Sequence, residues 1–271
     1  MRKETSKGVI VLGTTKMAEF SGIVVYRKDY RERDMLVKIL TDRFGFKMFF
    51  VRGARKKGFR LSAAILPFTK ATYIGTINDE GLSFISAVKE ASQYQAICQD
   101  IILNAYVAYI LGLAEAAFND NHPLNEWYIK IEKAISLINN GLDAAIVTNI
   151  VEIQLLGRFG VKPNLRNCVI CHDNTGICDF SESYGGLLCQ KHWHLDPNRL
   201  RLDRRTIYFL RFFSQVDIMR LGSINVKEET KDKLRLTLNQ IYNNDVGVNI
   251  KAKKFLDDIK KWPHIVLNDD R

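Results

Sequence analysis

Four of the five cysteines in this 271-residue chain fall between Cys168 and Cys189, a clustering that points to metal binding. Cys168-Val-Ile-Cys171 is followed, after seventeen residues, by Cys189-Gln-Lys-His192. Two ligand pairs, each spaced by two residues, can close on one tetrahedral Zn2+ between two knuckle turns. The intervening length lies in the usual zinc-ribbon range of roughly 15 to 20. Asn167 before the first pair and Gly185-Gly186 before the second supply turn-permissive backbone. The segment between them, HDNTGICDFSESYGG, reads as polar, so an ion would stand in for the core it lacks. The expected ligand set is Cys168, Cys171, Cys189 and His192, with Cys178, His172 and His194 close enough to substitute for one member. Four protein ligands leave no open coordination position, which makes such a site structural rather than catalytic. The remaining thiol, Cys98, is expected to be inert on a buried helix.

A second constellation is cationic. Arg52, Arg55, Lys56, Lys57 and Arg60 place five positive charges in nine residues, and Arg27, Lys28, Arg31 and Arg33 fall in what reads as the first interstrand connection. Loops of this kind on a small barrel form a rim suited to a phosphate backbone. Phe44, Phe46, Phe49, Phe50 and Phe59 offer aromatic surface, although strand alternation must send some of them inward. Arg199, Arg201, Arg204 and Arg205 form a third cluster, which could extend that surface, cap a helix or meet an acidic partner.

Enzymatic signatures are missing. Gly8 to Thr15 has the glycine spacing of a P-loop without its lysine, and GxGxxG, HExxH and GxSxG do not occur. The cysteine segment lacks the His-x-Glu and Pro-Cys-x-x-Cys of nucleobase deaminases. The expectation is a protein that is not an enzyme and takes no small-molecule substrate.

The elements that must position these residues follow from periodicity. From Phe20 to about Glu90 the apolar pattern has period two, with a turn at Asp42-Arg43-Phe44-Gly45 and another at Asn78-Asp79-Glu80-Gly81. Five short strands in so few residues predict a closed sheet: a five-stranded OB-fold barrel, with an SH3-like barrel as the alternative. The period then changes to 3.6. One stripe runs through Ile97, Ile101, Ala105, Ala108 and Leu111, and a second through Leu124, Trp127, Ile131, Ile135 and Ile138. A third, apolar on most sides, contains Ala144, Val147, Val151 and Leu155. Helices resume at about 204–220 and 227–243, and a last one places Phe255, Ile259 and Trp262 on one face. The fold class is therefore α+β: residues 1–19 an extension, 20–90 the barrel, 91–163 and 201–271 an all-α helical domain, and 164–200 an inserted zinc-binding module.

Composition agrees with a globular chain, at 46% hydrophobic and 26% charged residues. The net charge of +10 is uneven: residues 20–90 carry 14 basic and 7 acidic side chains, whereas residues 91–163 carry 4 and 7. The electropositive part is thus the β-domain, which favours a polyanionic partner. The apolar run Gly8 to Gly13 is too short for a secretory signal, and Asn104 and Glu115 interrupt the stretch from Ile101 to Phe118. With unpaired thiols, a soluble cytoplasmic protein without membrane association is expected.

Four segments in this order resemble the RecO family of bacterial recombination mediators. They are GIVVYRKDYRERDMLVKILTDRFGFKMFFVRGARK, with its Glu32-x-Asp34-x-Leu36 step, then LLGRFGVKPNLRNCVIC, DFSESYGGLLCQKH and the closing GVNIKAKKFLDDI. The resemblance covers about residues 20–262, and many members carry cysteine where this chain has His192. It implies an OB barrel, a helical domain and a zinc-binding insertion. It also implies binding of single- and double-stranded DNA, strand annealing, and work with RecR and the C-terminal tail of single-strand-binding protein in loading RecA, all in the bacterial cytoplasm at the nucleoid. The residue pattern alone leaves two rivals, a sequence-specific zinc-containing DNA-binding regulator and a zinc-dependent nucleic-acid enzyme.

Overall fold

The computed structural model describes residues 15–118 and 120–261. The chain forms two compact units, one comprising the chain up to Gln93 with Asp120–Pro123, the other Tyr94–Asn119 and everything from Leu124 onward.

The first unit is β. Strands β1 (Thr15–Tyr30), β2 (Asp34–Thr41), β3 (Gly45–Val51), β4 (Thr69–Asn78) and β5 (Ser83–Gln93) pair in the order β1-β2-β3-β5-β4, and β4 returns to β1 to close a barrel. All pairings are antiparallel except β3 with β5, a short parallel contact of Phe49 with Ser83 and Phe50 with Phe84. Alternation sends Phe20, Val24, Val37, Ile39, Phe49, Val51 and Tyr73 into the core. There the Phe20 ring stacks on Phe49 at 5.3 Å and on Tyr73 at 5.6 Å. The Tyr73 hydroxyl donates to the Ala64 carbonyl at 2.6 Å, so its burial leaves no unpaired polar atom. Gly45 sits at φ +68°, where a Cβ would lie 1.9 Å from the His122 carbonyl oxygen. Only glycine satisfies both demands.

Two expectations change here. Thr15–Glu19, placed in an extension, belong to β1: they pair residue by residue with β4, and Ala18 is buried in the core. The pattern hid this because four of those five residues face solvent. The rest of that stretch, including the Gly8–Gly13 run, lies outside the described residues. At the other end β5 continues to Gln93, beyond the expected boundary at 90.

The second unit is mostly helical: α1 (Gln95–Gln99), α2 (Ile101–Ala117), α3 (Glu126–Asn139), α4 (Ala144–Leu155), α5 (Arg204–Gln215), α6 (Glu228–Ile241) and α7 (Lys251–Lys261). Helix α4 is buried nearly all round, packed by α2, α3, α5 and α6, as its apolar circumference demands. The expected stripe from Ile97 to Leu111 is broken. Asp100 takes an extended conformation and caps α2 by accepting from the Ile102 and Leu103 amides, which leaves Ile101 exposed. On α7 the buried residue is Leu256, whereas Phe255 is exposed, and Trp262 lies outside the described residues. No helix among the described residues is long and apolar enough to cross a membrane. Between α4 and α5 lies a three-stranded sheet of β6 (Asn164–Cys168), β7 (Cys178–Ser181) and β8 (Gly186–Cys189), ordered β6-β8-β7.

Asp203 caps α5. It accepts from the Thr206 amide at 2.9 Å and from the Lys233 ammonium on α6 at 2.8 Å. Burial alone would raise its pKa, but the hydrogen bonds from Lys233 and Thr206 outweigh that and bring it down to about 2. A carboxylate held below its unfolded value of about 3.9 stabilises the fold above that pH, and the stabilisation is lost as pH falls toward 2. Asp203→Ala should therefore cost about 1 kcal/mol at pH 7. Thermal melts of the two proteins should converge as the pH approaches 2.

Candidate metal centre and cationic barrel rim

The cysteine cluster is assembled by two turns brought together through β-pairing. Cys168 ends β6, and the His172 amide donates to the Cys168 carbonyl at 2.9 Å, closing the first turn around Cys171. Cys189 ends β8, and the 3-10 turn Gln190–Leu195 that follows carries His192 back toward it. Ligand atoms of Cys168, Cys171, Cys189 and His192 all lie within 4.8 Å of one another. Individual separations are 3.6 Å for Cys171 Sγ–Cys189 Sγ, 3.6 Å for Cys168 Sγ–His192 Nδ1 and 3.2 Å for Cys189 Sγ–His192 Nδ1. Bond lengths of 2.3 Å to sulfur and 2.0–2.1 Å to nitrogen around a tetrahedral ion require edges of about 3.8 Å and about 3.6 Å. The donor set therefore fits a divalent ion with an adjustment of a few tenths of an ångström, and 3.6 Å is far too long for a disulfide. Burial would raise the Cys168 thiol, but backbone hydrogen bonds from Cys189, Cys171 and Ile170 prevail and bring it down to about 6.

The three alternative ligands stand apart from this group. Cys178 Sγ approaches the Gly176 carbonyl and the Arg211 guanidinium, both at 3.6 Å, and burial raises its pKa. His172 is exposed at φ +60°, and the His194 ring is centred 6.4 Å from that of His192. Cys98, expected in a core, is exposed. Nor does the intervening segment lack apolar packing. Phe180, Leu187 and Leu188 within it are buried, because β7 and β8 turn their faces inward.

Asp179 ties this sheet to the segment that leads into α5. Its buried carboxylate accepts from the amides of Phe180, Arg201 and Leu202 at 2.8, 2.9 and 2.8 Å and pairs with Arg199 at 3.1 Å. Arg199, first grouped with a surface cluster, is thus held inward, its guanidinium 4.6 Å above the Trp193 ring. Arg201, Arg204 and Arg205 remain exposed.

On the barrel, all nine cations of the two basic segments are exposed: Arg27, Lys28, Arg31, Arg33, Arg52, Arg55, Lys56, Lys57 and Arg60. Arg27 and Lys28 do not lie in a connection, because β1 runs on to Tyr30 and only Arg31 and Arg33 occupy the turn. The two segments are stapled together. The Arg55 amide donates to the Arg33 carbonyl at 3.1 Å, and the Gly53 amide donates to the Asp34 carboxylate at 2.8 Å. Arg55 also pairs with Asp29 at 3.2 Å, an exposed contact worth little in water. Of the five phenylalanines expected near the rim, Phe46 and Phe49 are fully buried, and Phe44 and Phe59 pack against the core. By alternation Phe46 and Phe50 share the outer face, but Phe46 is covered there, and Phe50, partly open, meets two rings that periodicity did not single out, Tyr30 and Phe84.

A closed β-barrel carrying two tied cationic segments, together with a helical unit bearing a Cys3His cluster, defines a basic, metal-competent two-unit protein. Its family follows from comparison. Residues 4–94 match the family model for the Recombination protein O N terminal and residues 98–254 that for the Recombination protein O C terminal, so the chain belongs to the RecO family. The match starting at residue 4 also removes the expectation that residues 1–19 stand outside the family's pattern. Among its relatives, the DNA repair protein RecO of Ligilactobacillus salivarius is 59% identical over 94% of this chain and 99% of that protein. Those of Latilactobacillus sakei and Enterococcus faecalis are 55% and 47% identical, over 89% and 91% of this chain and 89% and 94% of theirs.

Replacing Asp179 by alanine leaves three amide donors and a guanidinium without their acceptor, at a cost of about 3 kcal/mol. Chemical denaturation should register that change as a lower midpoint with an unchanged slope.

Proposed function

We propose that this protein acts in DNA repair and homologous recombination as a mediator, binding single- and double-stranded DNA without reading sequence. The reading is carried by the stapled rim: nine exposed cations lie on two segments whose backbones are tied together, on a barrel whose strand order suits the OB type. Long flexible cations neutralise phosphates and release counterions, so affinity falls steeply with salt. Two complementary strands held on one cationic edge repel each other less and meet at raised local concentration, which promotes annealing. Loading of RecA onto DNA covered by single-strand-binding protein, together with RecR, completes the role carried by the family resemblance. The protein is not an enzyme in this reading, and it works in the bacterial cytoplasm at the nucleoid.

The helical unit supplies a groove of about 520 Å³ lined by Trp127, Lys130, Ile153, Lys162, Val216 and Ile218. Its lining mixes apolar side chains with polar ones, two lysines and Asp217 among them, and the apolar side chains and lysines suit the apolar and acidic C-terminal tail of single-strand-binding protein. Zinc is the ion proposed for the Cys3His cluster. Cys168, Cys171, Cys189 and His192 would hold it, and its chemistry there is structural, cross-linking the ends of β6 and β8 with no position left for substrate.

Reversing Arg55, Lys56 and Lys57 to glutamate should weaken single-strand binding and flatten its salt dependence by roughly one unit for each phosphate no longer neutralised. Binding that keeps its slope in a salt titration would remove the rim from the interface. For the metal, purified protein should contain one zinc per chain by elemental analysis, and Cys189→Ser should lose the ion and lower the melting temperature. A metal-free preparation that melts like the wild type would refute the structural ion.

A further inference from the structure

Three aromatic side chains form a row across the outer face of the barrel. Tyr30 on β1 meets Phe50 on β3 edge to face at 5.9 Å, and Phe50 meets Phe84 on β5 in the same way at 5.9 Å. Register explains the row. Phe50 lies opposite Leu36 of β2 and opposite Phe84 of β5, while its neighbours Phe49 and Val51 point into the core. Phe84 is 42% exposed, and Tyr30 and Phe50 are half-buried. Packing the barrel interior does not require these rings, because Phe20, Phe49 and Tyr73 already fill it.

The surroundings of the row are cationic. Lys28 pairs with Leu36 and so shares the outer face, and the Arg31 guanidinium stands 5.2 Å from the Tyr30 ring centroid. Arg33 and Arg52 flank the same strand ends and are exposed. An apolar protein surface laid here would leave these charges facing nothing. A polyanion with flat apolar groups satisfies both halves, the rings taking the faces of its bases and the cations its phosphates. We infer that Tyr30, Phe50 and Phe84 form a stacking platform for the unpaired bases of single-stranded DNA, set beside the rim that holds the backbone. This inference rests on the nucleic-acid reading proposed above and adds an interaction that only unpaired strands can make, since a duplex keeps its base faces inside the stack.

The test uses the full chain with three probes of equal length: a deoxythymidine homo-oligomer, an abasic phosphodiester oligomer and a duplex. Phe84→Ala should bind the thymidine oligomer roughly tenfold more weakly. Its affinity for the abasic oligomer and the duplex, and its salt dependence, should match the wild type, and Phe84→Tyr should restore thymidine binding. Should Phe84→Ala not fold, Tyr30→Leu keeps an apolar side chain, removes a ring and should show the same selective weakening. Undiminished thymidine binding by a folded variant overturns the platform. An equal weakening on all three probes overturns it too, because the row then shapes the rim rather than receiving bases. A wild-type protein that binds none of the probes overturns the nucleic-acid reading itself, an outcome distinct from either.

Discussion

Closure of the barrel is the constraint on which the first unit depends. Once β4 pairs with β1 and β3 touches β5, the sheet closes on itself, and its strand residues point either into one small interior or out. Interior volume is limited, so three stacked rings, Phe20, Phe49 and Tyr73, with branched aliphatic side chains fill it. Charges are pushed to the outer face and the strand ends. The exception on the core-facing side is Lys47 of β3, which lies opposite Ile39 and donates to the Asn78 carbonyl at 2.6 Å. Lys38 of β2, also nearly fully buried, points away from the interior, its ammonium 2.7 Å from the Asp120 carboxylate in the segment Asp120–Pro123. A buried ammonium without that partner would be costly, so the segment and β2 depend on each other.

The second unit solves a different problem. Its sheet of three short strands buries Leu165, Phe180, Leu187 and Leu188, too few side chains to hold a module of that size by apolar packing alone. Two polar devices supplement them. Asp179 gathers three amides and an arginine ahead of α5, and the Cys3His cluster brings side chains from the ends of β6 and β8 within 4.8 Å of one another. Both act on backbone ends rather than on side-chain faces, which suits a segment whose sequence is mostly turn.

Much of this could be read from residue order, and the failures have identifiable causes. The two knuckles were legible because the chemistry demands a fixed spacing whatever the fold. Period-two alternation exposed all five strands, but β1 extends five residues earlier than expected because Thr15, Lys16, Met17 and Glu19 face water, so that Ala18 is the sole buried residue among them. Ile101 matched a helical stripe only by position, since the Asp100 cap restarts the helix there and rotates the register. The outer rings were hidden for a related reason. Phe50 is embedded in a run of phenylalanines whose alternation cannot be resolved without the register, and Phe84 looks like any strand residue until β5 is paired with β3. The groups that define a surface are those whose meaning depends on partners distant in sequence.

In the proposed role, the rim would bind DNA without reading sequence, and its arrangement suits that. Discrimination between bases requires donors and acceptors fixed within a few tenths of an ångström of base edges, usually on a rigid element in a groove. The rim offers the opposite. Its cations sit on long side chains at the ends of strands and in turns, where each can follow a phosphate over several ångströms. What is rigid is the backbone beneath them: Arg55 N–H to Arg33 carbonyl and Gly53 N–H to Asp34 carboxylate fix the distance between the two loops, not the direction of any side chain. Charge density is thereby preserved while geometric selectivity is given up. Affinity built this way is spread over many weak, salt-sensitive interactions, each of which can be released separately. A strand held in this manner can be handed on stepwise, which suits a mediator better than a few strong, directional bonds would.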